Sequence, residues 1–377
     1  MRIVHIVHKA LPDAHADSEQ LVNTMAALGA AGAEAVLAIP ADGGTETPAL
    51  ATSYQVPDTF EAVYCGQPKA GHPFLASYAH ARTVLTATEF SGTDAFVTRR
   101  PEVARLAARL GRPVLLDSYK PWPDMVPFGR GWFRRLASRP SFLGALPHSN
   151  FAAESFRRAR VAENRLLVAH NGFAPARLEP RLARGEARQK LGLSGSRPIA
   201  LYAGRLAMDK GLAAILEMAR AMPDVLFILL GSAGDGPVEQ ASQGRENVQI
   251  RPRTDFAGIA PHLFAADVLL IPPTAAPLRK RRNVVLPLKT YLYLGSGRPT
   301  LAPDLPDTAE LLKHDDTAYL VPPDDIKAGI CGLRHLLDDR PLADRLARNA
   351  LALATHFTWR ARADKILGFL AAKKAAR

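Results

Sequence analysis

The chain reads as α/β, built as two open, doubly wound domains, each a mostly parallel sheet between layers of helices. Three observations lead there. Short apolar runs alternate with Ala-rich amphipathic stretches almost from end to end, and each run is nearly continuous in apolar residues, as strands covered on both faces are. The pattern restarts after a Pro- and charge-containing stretch near the middle. The 377 residues, 47% of them hydrophobic, are enough for two ordinary cores and too many for a comfortable single one.

In the first half the strand-like runs are 3–7, 35–39, 95–98, 114–117, 142–147 and 166–169, with helical patterns such as 18–28 and 102–110 between them. Residues 171–197 contain Asn-Gly, two prolines and mixed charge and read as a connector. The second half offers strands at 199–203, 225–230, 248–250, 268–271, 299–302 and 319–321, with a helix from about 210 to 221. Residues 357–372 form an amphipathic helix whose Leu367, Phe369 and Leu370 give it an apolar side.

The net charge of +12 attracts anions: nucleic acid, phosphates or an acidic membrane face. A solvated basic surface and a membrane-facing patch both fit it. Without zinc spacing, an aromatic RNA motif or a basic helix, nucleic acid is not expected as a partner. Apolar runs fall short of the ~18–20 residues a spanning helix needs. The opening MRIVHIVHKA reads as a first strand and not as a signal peptide. Cys65 and Cys331 lie far apart, which fits a reducing compartment and a cytoplasmic location.

Open α/β sheets bind ligands beyond the carboxyl ends of their strands, so the turns after the strands are the places to search. The strongest is Gly204-Arg205…Lys210-Gly211. Gly204 lets the backbone turn and a ligand approach, Arg205 offers a planar fork of donors, and Lys210 adds a charge beside a helix start. This is either a cradle for a diphosphate, whose charge grows as a bond to it breaks, or two surface cations around a turn. A glycine-rich loop, Gly231–Gly236, follows the next strand and is either a ligand contact or a plain turn. The third segment runs from Asn283 to Pro299, with a helix start near Pro287, and Arg279–Arg282 stands before it, as a solvated loop or as a site for an acidic acceptor.

In the first half, His15 lies in the loop after the first strand and could orient acceptor or donor. Asp13 and Asp17 there are either bases toward an acceptor hydroxyl or caps of the next helix. Arg99, after a strand, is a ligand contact or a surface charge. His148 stands at a strand end. Trp122 and Trp132 flank the Pro-rich stretch 121–131, with Arg134-Arg135 beside it; exposed aromatics so placed suit a sugar face or a membrane surface, and a packed lid is the alternative.

Taken together and in this order, the segments resemble the retaining glycosyltransferases of the GT-B fold, family four. The matching positions are Gly204-Arg205…Lys210-Gly211, the turn 231–236, and Pro287-Leu288-Lys289…Gly297-Arg298-Pro299…Asp304. His148-Ser149-Asn150…Asn171-Gly172 resembles the end of that family's first domain, and Phe357-Thr358-Trp359 its entry to a C-terminal helix that crosses back. The resemblance implies two Rossmann-like domains facing a cleft: 1–172 for the acceptor, with 357–377 packing back on it, and 173–356 for a nucleotide-sugar donor. It implies that Arg205 and Lys210 bind the diphosphate, and that Gly204, Gly231 and the block Leu286, Pro287, Leu288 and Lys289 touch phosphates and sugar. Arg251, Arg253 and Thr254 would hold the base. It further implies sugar transfer with retention to a saccharide or lipid-linked acceptor in cell-surface glycan assembly, without a metal or other cofactor, at or near the inner membrane face. The chain departs from the family pattern at Val284 and Leu292, where a Glu pair is usual, and at Tyr119, which falls where many relatives carry a His facing the sugar. A non-catalytic relative that binds nucleotide or glycan as a partner of another transferase is the alternative reading.

Overall fold

A computed structural model describes residues 1–13, 15–41, 47–66, 73–193, 196–276 and 286–375. The run Arg279–Arg282 and Val284 lie outside them. The chain divides into two compact units, Met1–Asn171 with Trp359–Arg377, and Gly172–Thr358.

Unit 1 holds strands β1 (Arg2–Ile6), β2 (Glu34–Ile39), β3 (Glu61–Tyr64), β4 (Ala95–Thr98), β5 (Val114–Ser118) and β6 (Phe142–Pro147). They pair in parallel in the order β3-β2-β1-β4-β5-β6. Alternate residues feed two cores. Ile3, Leu37, Ile39 and Leu115 enter one layer, and Val4, Val36, Val114 and Leu116 the other. Period-two alternation between two dry faces explains why these strands read as unbroken apolar runs. The helix Ala16–Ala30 covers the first layer with Leu21, Val22 and Met25. The terminal helix Trp359–Ala375 joins the same layer through Ala363, Ile366 and Leu370.

Unit 2 repeats the plan with β7 (Ile199–Ala203), β8 (Leu226–Ser232), β9 (Val248–Pro252), β10 (Val268–Leu270), β11 (Thr300–Pro303) and β12 (Tyr319–Val321), in the order β12-β11-β10-β7-β8-β9. Ile199, Leu201, Ile228 and Leu230 face one core; Ala200, Tyr202, Phe227 and Leu229 face the other. Each sheet therefore has one switch point, where the chain leaves one strand to build outward in both directions: β1/β4 in unit 1 and β7/β10 in unit 2. Among the described residues no helix is long and apolar enough to cross a membrane.

Two elements differ from the sequence reading. β3 is an edge strand whose four residues are exposed or half-buried, so it lacks the apolar run by which the other strands are legible. The run 166–169 does not become a sheet strand. It makes a single bridge, Leu166 to Ala145, and the Ala169 carbonyl is taken by the Arg362 side chain instead of a neighbouring strand.

Candidate functional site

The carboxyl end of β7 is held by two tyrosines, Tyr202 of the strand itself and Tyr293 of a later helix. The Ala203 amide donates to the Tyr293 hydroxyl at 2.8 Å, fixing the strand end to the helix Leu288–Ser296. The Tyr202 hydroxyl donates to the Arg205 carbonyl at 3.2 Å and closes the turn. Beyond them the chain turns at Gly204, whose φ is +144°. A side-chain carbon there would sit 2.7 Å from Lys289 Nζ. Gly231, near the end of β8, packs directly onto it: a carbon on Gly231, at φ +126°, would lie 2.3 Å from the Gly204 carbonyl oxygen. Neither position tolerates a Cβ without movement, so the two glycines let the ends of β7 and β8 meet beside the switch point.

Three cations gather there. The Arg205 side chain is 62% exposed, tied to Asp209 by one long contact of 3.5 Å, and so has donors to offer. Lys210 ends a single 3-10 turn, Met208–Lys210, leading into the helix Leu212–Ala221. Lys289 is half-buried, its ammonium 3.5 Å from the centre of the Tyr202 ring. Burial first, and the Lys210 charge second, hold its pKa well below the ordinary lysine value. An anion between these groups would reverse that shift, because an opposite charge favours the protonated amine. Leu286 is buried, Pro287 is exposed, and Leu288 and Lys289 open the nine-residue helix, whose positive dipole end lies at this point. Leu292 is half-buried against the apolar core and offers no acceptor.

Arg251, Arg253 and Thr254 sit at the end of β9, two strands from β7, which is roughly 10 Å at normal strand spacing. Arg253 is exposed, and its amide donates to the Ser232 carbonyl at 2.8 Å. Arg251 bonds Gln249 at 3.1 Å. The separation fits a nucleoside whose phosphates reach the Gly204 turn.

In unit 1 the candidates also collect at the carboxyl edge of the sheet, but several are already engaged. Lys9 Nζ lies 2.8 Å from Asp13 and 3.1 Å from Asp17. Burial alone would raise Asp13, yet the Lys9 and His15 hydrogen bonds overcome it and hold the carboxyl down to about 2. Such a group is a poor proton acceptor near neutral pH, which counts against the base role for Asp13 and, through the same lysine, for Asp17. Neither caps the helix Ala16–Ala30 from its N-cap position, which is His15. The His15 side chain is exposed, 3.3 Å from Asp13. Tyr119 follows β5, half-buried, with Lys120 Nζ 5.3 Å from its ring centre.

His148 and Arg99 are corrected more firmly. Both are buried around Asp117 and not on the surface. Asp117 accepts from His148 Nε2 at 2.8 Å, from Arg362 Nη2 at 2.7 Å and from Arg99 Nε at 3.3 Å. Arg99 Nη1 donates to the Asp17 carbonyl at 2.6 Å, while its Nη2 has no hydrogen-bond partner among the described residues. His148 and Arg99 therefore brace the interior around Asp117, and Arg99 Nη2 is itself buried. The exposed-aromatic reading of Trp122 and Trp132 is corrected as well, since both rings are half-buried against the unit 1 core. Asp117, Arg362, Lys9 and the pair Tyr202 and Tyr293 were missed as site-builders. One visible signal was Asp117, a charge ending an apolar strand.

The buried imidazoles predict acid lability. Burial, chiefly, lowers His5 to about 3, His8 to about 4 and His148 to about 4, so all three are neutral in the folded chain. Their folded pKa values lie below the unfolded value near 6.5, so their contribution is fully present above pH 6.5 and is lost as pH falls toward 4. Each can contribute about 3 kcal/mol. The melting temperature should drop by roughly 10 °C or more between pH 7 and pH 4.5. A flat melting profile across that window would show that these rings are solvated or already charged.

Residues 197–339, within unit 2, match the family model described as "Glycosyl transferases group 1". The segment contains every unit 2 candidate from Gly204 to Lys289. The chain is 29% identical over 255 residues to the alpha-D-kanosaminyltransferase of Streptomyces kanamyceticus, across 63% of this chain and 62% of that protein. It thus spans less than two thirds of that relative's length. A glycosyltransferase structure from Rickettsia africae superposes with a TM-score of 0.78 at 15% identity, covering 100% of this chain and 99% of the other. Anabaena Alr3699/HepE, solved with UDP-glucose, superposes at 0.71 with 18% identity, covering 99% and 100%. Residues 197–339 are thus similar to the group 1 glycosyltransferases, and the two six-stranded parallel sheets match the GT-B fold of the solved glycosyltransferases.

Proposed function

We propose that the chain transfers a sugar from a nucleoside-diphosphate sugar to a saccharide or lipid-linked acceptor in cell-surface glycan assembly, retaining the anomeric configuration. The observation that carries this reading is the convergence of Arg205, Lys210 and Lys289 on the switch point of unit 2. As the glycosidic bond breaks, negative charge builds on the departing diphosphate. Fixed cations at that point stabilise it more in the transition state than in the ground state. The chain then supplies from its own side chains the charge that a metal would otherwise supply, and the reaction proceeds without metal or cofactor. Retention has the acceptor hydroxyl arrive on the face the diphosphate leaves, so the phosphate oxygens can take its proton. This suits a protein whose Asp13 is too weakly basic for that task.

The HepE structure was solved with UDP-glucose, so UDP and its sugars are the first donors to test. A thermal-shift and calorimetric panel of UDP, GDP, ADP and their sugars should give one base a clear stabilisation. Arg205→Ala should weaken that nucleotide by about 10–100-fold, the loss of one or two hydrogen bonds to a charged group. Unchanged affinity in the variant would remove the diphosphate assignment. A second reading, a nucleotide-binding partner without turnover, is favoured by Leu292, which offers no oxygen for the ribose. Binding without transfer or hydrolysis across the panel would establish it. In either case we place the acceptor side at an acidic membrane face, in the cytoplasm.

A further inference from the structure

We infer that unit 2 carries a further anion site, at the edge of its sheet opposite the Gly204 turn: a cavity that takes a phosphate group between Arg184, Arg188 and Arg340. The cavity has a volume of about 170 Å³, and those three side chains line it together with Asp267, Ser196 and Pro198. Pro198 precedes β7 and Asp267 precedes β10, so the cavity lies where the parallel strands begin. β7 is five residues long, which at about 3.3 Å per residue puts roughly 17 Å of strand between the cavity and Gly204. A ligand here is therefore separate from one held at the Gly204 turn, and the inference does not rest on the transferase reading.

The local sequence builds the cationic wall. Arg184 and Arg188 stand four positions apart on the helix Arg184–Lys190 and so share one of its faces. Arg340 is the first residue of the helix Arg340–Ala354, whose positive dipole end adds to its charge. Among the described residues Asp267 is the one acid that lines the cavity, and its oxygens are already taken. Arg184 Nη1 and Arg188 Nη2 each donate to it at 2.5 Å, and the Ile199 amide at 2.7 Å. The Arg184 guanidinium has no other partner among the described residues, so its Nε and Nη2 are left for a ligand. Arg340 is tied to Asp344 by one contact of 3.2 Å, and its side chain is 54% exposed. Arg298, just before β11, lies close enough to feel these charges. Its Nη2 donates to the Phe264 carbonyl at 2.7 Å, but its Nε is buried without a hydrogen-bond partner. Burial first, then the Arg184 charge, with Arg340 and Arg181 behind it, hold its pKa down to about 10. The cluster thus repels itself, and an anion relieves it. Among the residues that line the cavity three guanidiniums are set against one carboxylate, an excess of two positive charges that a phosphate dianion matches. Guanidinium forks suit its oxygens. The cavity is smaller than the roughly 300 Å³ at which pockets for drug-sized ligands begin, which fits a phosphate and not a nucleotide.

The test is titration calorimetry of the full chain with inorganic phosphate, in wild type, Arg340→Glu, Arg184→Gln and Arg205→Ala, with chloride keeping the ionic strength constant. Wild type should bind phosphate at millimolar concentration or below. Arg340→Glu and Arg184→Gln should each weaken that binding about tenfold or more, the loss of a hydrogen bond to a charged group. Arg205→Ala should leave it unchanged, since that side chain lies at the other end of β7. Arg340→Glu should also keep the wild-type melting temperature without phosphate, because an acid in the first turn of a helix suits its dipole. Glycerol phosphate in place of phosphate separates the two sources of the group. Tighter binding with the same dependence on Arg340 makes the occupant a phosphomonoester, weaker binding makes it free phosphate, and either keeps the site. No phosphate binding by wild type overturns the inference, as does equal binding by Arg340→Glu. Binding that is lost in Arg205→Ala and kept in Arg340→Glu would assign the phosphate to the Gly204 turn and also overturn it.

Discussion

Arg362→Ala is expected to cost about 3–5 kcal/mol of stability, the penalty for breaking a buried charge pair and leaving one partner uncompensated. The side chain is 1% exposed, although it lies on the last helix of the chain. Its Nη2 reaches Asp117 at 2.7 Å, its Nη1 the carbonyls of Ala169 and His170, and its Nε the Thr24 hydroxyl at 3.2 Å. One guanidinium thereby joins β5, the segment after β6, the helix Ala16–Ala30 and the terminal helix. Without it, Asp117 keeps Arg99 at 3.3 Å and neutral His148, and the buried Ala169 carbonyl and the half-buried His170 carbonyl lose a donor. Arg362→Lys should recover little, because a single ammonium cannot span these acceptors. Arg360→Ala, two residues away and exposed in an i, i+4 pair with Asp364, should change stability by at most about 0.5 kcal/mol. Urea unfolding of the three variants decides the matter. Equal midpoints for the Arg360 and Arg362 alanine variants would mean that the network contributes nothing.

Gly231→Ala is expected to destabilise unit 2 by about 2–4 kcal/mol and to abolish nucleotide binding. The added carbon would stand 2.3 Å from the Gly204 carbonyl oxygen, a backbone atom that cannot swing aside as a side chain can. A φ of +126° adds strain for any residue with a Cβ. Relief requires the Gly204 turn to move, and with it Arg205, whose carbonyl is held by Tyr202 at 3.2 Å. Gly192→Ala makes a fair control: φ is also positive, at +65°, but nothing lies within 4 Å of the new carbon. It should cost about 1 kcal/mol and leave binding intact. If Gly231→Ala binds nucleotide as wild type does, then the two strand-end turns do not form one site.

All six strands of unit 2 were legible, most of them as apolar runs bounded by turn residues and β9 by the alternation of Val248 and Ile250 about Gln249, and so was the Gly204–Lys210 turn, because its residue types are unusual together. The unit 1 candidates fared differently. His148 and Arg99 were identified at strand ends, where they are, but their burial was not visible, since a strand end can be open or roofed by chain from elsewhere. Arg362 was invisible for the same reason: nothing in Trp359-Arg360-Ala361-Arg362 marks the second arginine as interior and the first as exposed.

By itself the sequence determined the two-sheet α/β plan and the place of a cation-rich turn after β7, for both follow from periodicity and local residue chemistry. Only the tertiary structure decided which charges remain available to a ligand. Arg205 stays exposed at a switch point, while Arg99, Asp117, His148 and Arg362 are spent on one another. Charge availability depends on neighbours up to 245 positions distant in the chain, as between Asp117 and Arg362, and local pattern does not encode such pairings.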